Sequence, residues 1–156
     1  MFEFNDSDAA AELAERARDL MDEVVIPKER ELSGGTTVSE GTISELRAAA
    51  KEYGVYAPQI GEEYGGMGYE FDDVLPTFEQ AGRSLLGAAA MRVDAPDEGN
   101  MHLLEMHGSQ LQKEQYLEPL VEGEIHSGFS MTEPMQGAGS DPKMIQTTAE
   151  KDGDEW

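Results

Sequence analysis

From Asn5 or Asp6 onward the apolar residues Ala10, Leu13, Ala14, Ala17, Leu20, Met21 and Val24 recur three and four apart. That spacing predicts an amphipathic helix, with acids collected near its start and Pro27 closing or kinking it. Ser33, Gly34, Gly35 and two threonines then read as a polar linker. A second helix is expected from Thr42, which stands in capping-box relation to Glu45. It carries Ile43, Leu46, Ala49 and Ala50 and meets a left-handed cap at Gly54. Asp72 or Asp73 would cap a third, running through Val74, Leu75, Phe78, Ala81 and Leu85 to Gly87, with Pro76 tolerable only in the first turn. After a polar turn over 93–100, Met101, Leu103, Leu104 and Met106 form another apolar stripe. Ser109 and Gln112 offer a further capping box before Leu111, Tyr116, Leu117, Leu120 and Val121, and Gly123 ends the helical part.

Past Gly123 the period changes from about 3.6 to about 2. Residues 126–132 and 144–150 alternate like half-buried strands, and Lys151, Asp152 and Gly153 read as a hairpin turn. Helices followed by strands indicate a mainly α chain: a helical domain over 1–124, then over 125–156 the first strands of a truncated β domain. Because Trp156 falls within the opening residues of a strand, the natural protein is expected to continue.

Composition narrows the function. Thirty-three acidic residues against 11 basic ones give a formal charge of -22, spread along the chain rather than held in a tail. Without a basic patch to displace counterions, nucleic acid is a poor partner. Self-repulsion of that size is relieved by concentrated salt, which suggests a salt-loving source. There is no cysteine, so disulfides, zinc knuckles and thiol chemistry are excluded. The N-terminus lacks the features of a signal peptide and no apolar run approaches a membrane span, so a cytoplasmic location is expected.

The glycine-rich run over 55–71, VYAPQIGEEYGGMGYEF, has no lysine and no Gly-Lys-Ser/Thr ending, and no βαβ unit surrounds it. It is neither a Walker loop nor a dinucleotide fingerprint, but an ordered loop between helices. His102, His107 and His126 do not have the four-residue helical step of zinc sites, and no metal is assigned. The nine methionines fall mainly at apolar helical positions, where they fill the core.

The stretch FSMTEPMQGAGSD, residues 129–141, remains. A strand-like run stops at Pro134 and opens into Gly137 and Gly139, with Thr132 and Ser140 supplying hydroxyls at either end. The order Phe129, Met131, Thr132, Glu133, Pro134, then Ala138, Gly139, Ser140, Asp141 resembles the flavin-binding signature of the acyl-CoA dehydrogenase family. The loop from Pro58 to Gly68, the Ala95 to Met101 turn and the Gly108 to Gly123 segment are similar to that family in the same order, so the resemblance covers most of the chain.

The resemblance implies an FAD-dependent oxidoreductase that converts an acyl-CoA thioester to the trans-2-enoyl-CoA and passes electrons to an electron-transfer flavoprotein, as a homo-tetramer or homo-dimer. Carried over, Thr132 and the backbone including Met131 would bond the flavin ring and Phe129 would pack near it. Gly139 and Ser140 would face the cofactor diphosphate, or in the case of Ser140 the CoA arm of the substrate. The spacer Met135, Gln136, Gly137 is longer than in many relatives. The family's catalytic glutamate lies in a C-terminal helical domain beyond Trp156, so no catalytic residue is assigned here, Glu133 included, and the chain alone is expected to be inactive. An acyl-CoA oxidase or other flavoenzyme on the same fold, and a non-enzymatic helical interaction module, are the alternatives.

Overall fold

The computed structural model describes residues 7–32, 37–134 and 137–156. The expected helix start at Asn5 or Asp6, the linker residues 33–36 and the spacer residues Met135 and Gln136 lie outside them. The first helix, α1 (Asp8–Leu20), is capped by the Ser7 hydroxyl, which accepts the Ala10 amide at 3.0 Å. It runs into a π-helical turn, Met21–Val25, and then α2 (Ile26–Leu32). Pro27 therefore lies within the helical run and does not end it. The proline has no N–H and its ring would strike the carbonyl four residues back, and the widened turn just before it absorbs that conflict. The same arrangement recurs at Pro119, where α7 (Gln110–Gln112) passes through a π-helical turn, Lys113–Leu117, into α8 (Glu118–Glu122).

Several boundaries differ from the sequence expectation. The helix α3 (Glu40–Glu52) is capped by Ser39 rather than Thr42: the Ser39 backbone is extended and its hydroxyl accepts the Thr42 amide at 3.1 Å. The helix α4 (Phe71–Ala81) starts one residue before Asp72, so both aspartates lie in its first turn, where the positive end of the helix favours them. Pro76 sits deeper than the first turn. That helix ends at Gly82, leaving Leu85 92% exposed, and Gly87 begins rather than ends an element, α5 (Gly87–Met91). A Cβ on Gly87 would lie 2.1 Å from the Ala81 carbonyl oxygen, so this glycine allows the chain to cross the end of α4. The turn expected over 93–100 gives way at Asp97 to α6 (Asp97–His107). Gly54, Gly123 and the Ser109–Gln112 capping box perform as the sequence predicts.

The core gathers Leu13, Ala17 and Leu20 from α1, Met21 from the π-helical turn, Leu46 and Ala50 from α3, Val74 from α4, Met91 from α5, Met101 from α6, and Leu117, Leu120 and Val121 near the end of the helical part. Into it runs the glycine-rich loop, where 55–60 are all buried. A buried loop must find partners for its own amides. Here Ala57 N–H donates to Met91 O at 2.9 Å, Tyr69 N–H to Pro58 O at 2.9 Å and Gly68 N–H to Ile60 O at 2.8 Å. The Tyr56 hydroxyl donates to Val121 O at 2.6 Å, and burial raises its pKa, so it stays a donor. The loop is an inward plug that joins α3 and α5 to α8.

Beyond Gly123 residues 126–134 and 145–151 have no regular secondary structure, and no strand ladder forms among the described residues. The pairing expected for 126–132 and 144–150 is absent; an alternating pattern supplies a face, while a strand also needs a neighbour for its N–H and C=O groups. Met144 belongs instead to a short 3-10 turn, Pro142–Met144, capped by Asp141. An antiparallel bridge joins Asp152 to Glu155 around Gly153, where the hairpin turn is predicted.

Two glycines separate crowding from propensity. A Cβ on Gly66 would sit 2.1 Å from Ile60 O, whereas one on Gly99, inside α6, meets nothing within 4 Å. Gly66→Ala is expected to destabilise the chain by about 3 kcal/mol. Gly99→Ala should stabilise it by about 0.5–1 kcal/mol, both read from urea unfolding followed by helical circular dichroism.

Candidate functional site

Two structures place the signature segment. The first is a buried polar network where the extended tail leaves the helices. Arg92 follows three alanines and a methionine and is wholly buried, with φ of 60°. Its Nε and Nη2 donate to Leu120 O at 2.9 and 2.6 Å, Nη2 also to Ile125 O at 3.3 Å, and Nη1 to Asp97 Oδ2 at 2.8 Å. Asp97, 3% exposed, accepts His126 Nδ1 at 3.0 Å on the same oxygen. Its other oxygen takes the Ser127 amide at 2.7 Å and the Ser127 hydroxyl at 2.5 Å. Asn100 Nδ2 donates to Ser127 Oγ at 2.8 Å. Burial opposes the Asp97 anion, but the bonds from Ser127, His126 and Arg92 outweigh it and hold the carboxyl at about 2.

Through this network α6 fixes 125–127, and Phe129 follows two residues on. Phe129, 66% exposed, closes one side of an apolar cleft of about 470 Å³ whose other side is Pro96, Gly99 and Leu103. A second cleft, about 320 Å³, adjoins it through Asn100 and Leu103 and reaches Tyr116 and Leu120.

The second structure is the turn itself. Thr132 and Ser140 are exposed, and neither they nor Met131 makes a hydrogen bond among the described residues. Gly139 has φ of 57° and open space where a Cβ would be, so the backbone conformation, not crowding within the chain, calls for glycine. Between these groups, Glu133 N–H donates to Gly139 O at 2.8 Å. The Glu133 carboxylate accepts the Ala138 amide at 2.9 Å and the Thr147 amide at 2.6 Å, together with the Gln146 amide and the Thr147 hydroxyl. The Thr147 hydroxyl first, then the Ala138, Gln146 and Thr147 amides, hold its pKa at about 2. Of the sequence-predicted site residues, Thr132 and Ser140 are exposed and Met131 and Gly139 half-buried about the turn closed by the Glu133–Gly139 bond, while Phe129 lies on the cleft against α6. Donors without a partner among the described residues and a left-handed glycine suit a polar anionic group, and the separate cleft beside Phe129 suits an apolar one.

Sequence reasoning missed Arg92, Asp97, Asn100 and Ser127. An arginine inside AAAMRV is the signal that could have found them, since a cation in an apolar run needs a buried anion nearby. Among the described residues no group of histidines and carboxylates could hold a metal ion, and no helix is long and apolar enough to cross a membrane.

Residues 7–124 match the family model described as acyl-CoA dehydrogenase, N-terminal domain. The Mycobacterium tuberculosis protein named "Probable acyl-CoA dehydrogenase FadE2" is 39% identical over 115 residues, 73% of this chain and 27% of that protein. The (R)-benzylsuccinyl-CoA dehydrogenase of Thauera aromatica is 30% identical over 139 residues, 87% of this chain and 34% of that one. A solved Mycobacterium abscessus structure assigned to the acyl-CoA dehydrogenases superposes with a TM-score of 0.72 at 36% identity, covering 88% of this chain and 37% of its own. The chain thus spans well under half the length of each of these relatives.

Removing Asp97 would leave Arg92 buried beside only Asp94, whose carboxylate is 3.6 Å away. Asp97→Ala is expected to cost about 3 kcal/mol at neutral pH by urea unfolding. Because the folded carboxyl sits at about 2, below the ordinary 3.8, the Asp97 contribution is full above about pH 4 and fades as pH falls towards about 2. The gap between wild type and variant should close over that window.

Proposed function

Since the chain belongs to the acyl-CoA dehydrogenase family, we propose that it forms the helical portion and flavin-facing turn of an FAD-dependent enzyme that oxidises an acyl-CoA thioester to the trans-2-enoyl-CoA. The bound flavin supplies the hydride acceptor for the β-carbon, the step that protein side chains cannot perform. The observation that carries the reading is the turn closed by Glu133 and Gly139, where Met131, Thr132 and Ser140 make no hydrogen bond among the described residues.

In this reading the N–H groups of Met131 and Thr132 and the Thr132 hydroxyl bond the flavin ring and favour negative charge on its reduced form. Phe129 covers the ring edge, and the cleft it shares with Pro96, Gly99 and Leu103 receives an apolar acyl group and excludes water. Gly139 and Ser140 offer N–H and O–H donors to the diphosphate, with Ser140 also within the reach of the CoA arm. No group of this chain removes the α-proton; both oxygens of Glu133 are engaged, and the base belongs to a part of the family's architecture that the chain does not include. Electron-transfer flavoprotein as acceptor and a homo-oligomeric assembly complete the proposal. The charge of -22 fits work in concentrated salt.

FAD added to the ¹⁵N-labelled chain should shift the amides of Met131, Thr132, Gly139 and Ser140 before those of α1. Thr132→Val should weaken that binding about threefold to tenfold, as loss of one neutral hydrogen bond does. Shifts spread evenly over the surface, or none at all, would overturn the flavin reading. The chain alone should reduce no dye when given acyl-CoA. Its melting temperature should rise between about 0.1 and 2 M KCl as repulsion is screened, and a flat or falling curve would refute the salt adaptation.

A further inference from the structure

Glu133 is at the centre of the signature and has no part in the chemistry proposed above. Its surroundings give it a different task. Oε1 accepts from the Thr147 amide, the Thr147 hydroxyl and, at 3.0 Å, the Gln146 amide; Oε2 accepts from the Ala138 amide and, at 3.2 Å, the Gln146 amide. These donors come from both sides of the turn: Ala138 precedes Gly139 and Ser140, while Gln146 and Thr147 lie on the far side of the 3-10 turn, Pro142–Met144. All are neutral, so the contact is hydrogen bonding and not an ion pair.

Gly137 supplies an independent observation. A Cβ there would lie 2.6 Å from Glu133 Oε2 and 3.1 Å from Glu133 Cβ. A carboxylate held by several donors cannot swing aside as a free side chain would, and Gly137 leaves the space it occupies.

We propose that Glu133 is a positioning residue for the flavin: its carboxylate fastens Ala138, Gln146 and Thr147 against the Thr132 side of the turn. It thereby fixes the separation between the ring-facing donors of Met131 and Thr132 and the diphosphate-facing pair Gly139 and Ser140. The inference rests on the flavin reading given above. An acid is needed, not merely a polar group, because both oxygens meet donors. In glutamine one oxygen becomes an NH₂ that faces an N–H, so the closest isostere loses one side of the clamp. The low pKa of Glu133 follows from the same donors and keeps the anion in place throughout the neutral range.

The test titrates FAD into the ¹⁵N-labelled chain and its Glu133→Gln, Glu133→Asp and Gly137→Ala variants, and measures amide exchange at 138, 146 and 147. In wild type these amides should exchange slowly. Glu133→Gln and Gly137→Ala should each speed exchange at all three and weaken FAD binding about tenfold or more, with α1–α6 resonances unchanged. Glu133→Asp, which keeps two anionic acceptors, should recover part of the affinity. Wild type and Glu133→Gln binding FAD equally well would overturn the clamp and leave the flavin reading intact. Failure of wild type to bind FAD would instead remove the flavin reading, and the positioning role with it.

Discussion

The fold turns on a buried arginine. Arg92 has no exposed surface, and a guanidinium in that position is tolerable only when an anion and carbonyl oxygens engage its donors. Leu120 supplies a carbonyl near the end of α8, Ile125 one from the tail and Asp97 the carboxylate at the start of α6. The start of α6 and the stretch 120–125 are thereby fixed to one side chain. A hydrophobic contact in the same place could slide; the fan of guanidinium bonds has one geometry. Asp97 then passes that geometry to Ser127, two residues before Phe129. The helical core and the signature segment are thus coupled through charge.

Much of the helical architecture was legible because it depends on local period. The stripes of α1, α3 and α4 stand out in sequence, and the Ser109–Gln112 box and the Gly54 and Gly123 caps carry their own chemistry. What was not legible depends on distant contacts. Ser39 and Thr42 are both capable caps, and which one starts α3 is decided by the backbone at Ser39. Gly87 resembles a helix stop, yet it is a crossing point that only the position of Ala81 explains. The strands expected after Gly123 show the reverse limit: 126–132 and 144–150 alternate correctly, but pairing is a property of two segments, and neither forms a ladder among the described residues.

At the candidate site Glu133 N–H joins Gly139 O, which puts Thr132 and Ser140 on the same turn. Phe129 is on the other side of the arrangement, against α6, because the Asp97–Ser127 link draws that part of the chain towards the helices. The supporting layer escaped notice. Ser127, Asn100 and Thr147 are ordinary polar residues in sequence, and their roles come from carboxylates that are distant along the chain or across a turn. A motif names groups that touch a ligand more readily than groups that hold those groups still.

The charge balance sharpens the point. With 33 acids and 11 bases, most carboxylates cannot have a cationic partner, and surface pairs such as Lys51 with Glu122 are weak and screened by salt. The two carboxylates that organise the site are neutralised differently. Asp97 is buried with Arg92 and Ser127, and Glu133 is held by amides and a hydroxyl. Hydrogen bonds from neutral donors do not decay with ionic strength as exposed ion pairs do, and a buried pair is shielded from the ions that would screen it. Salt that relieves the repulsion of the surface therefore leaves the local order of the site intact, which lets an acidic shell and a carboxylate-built site exist in one chain.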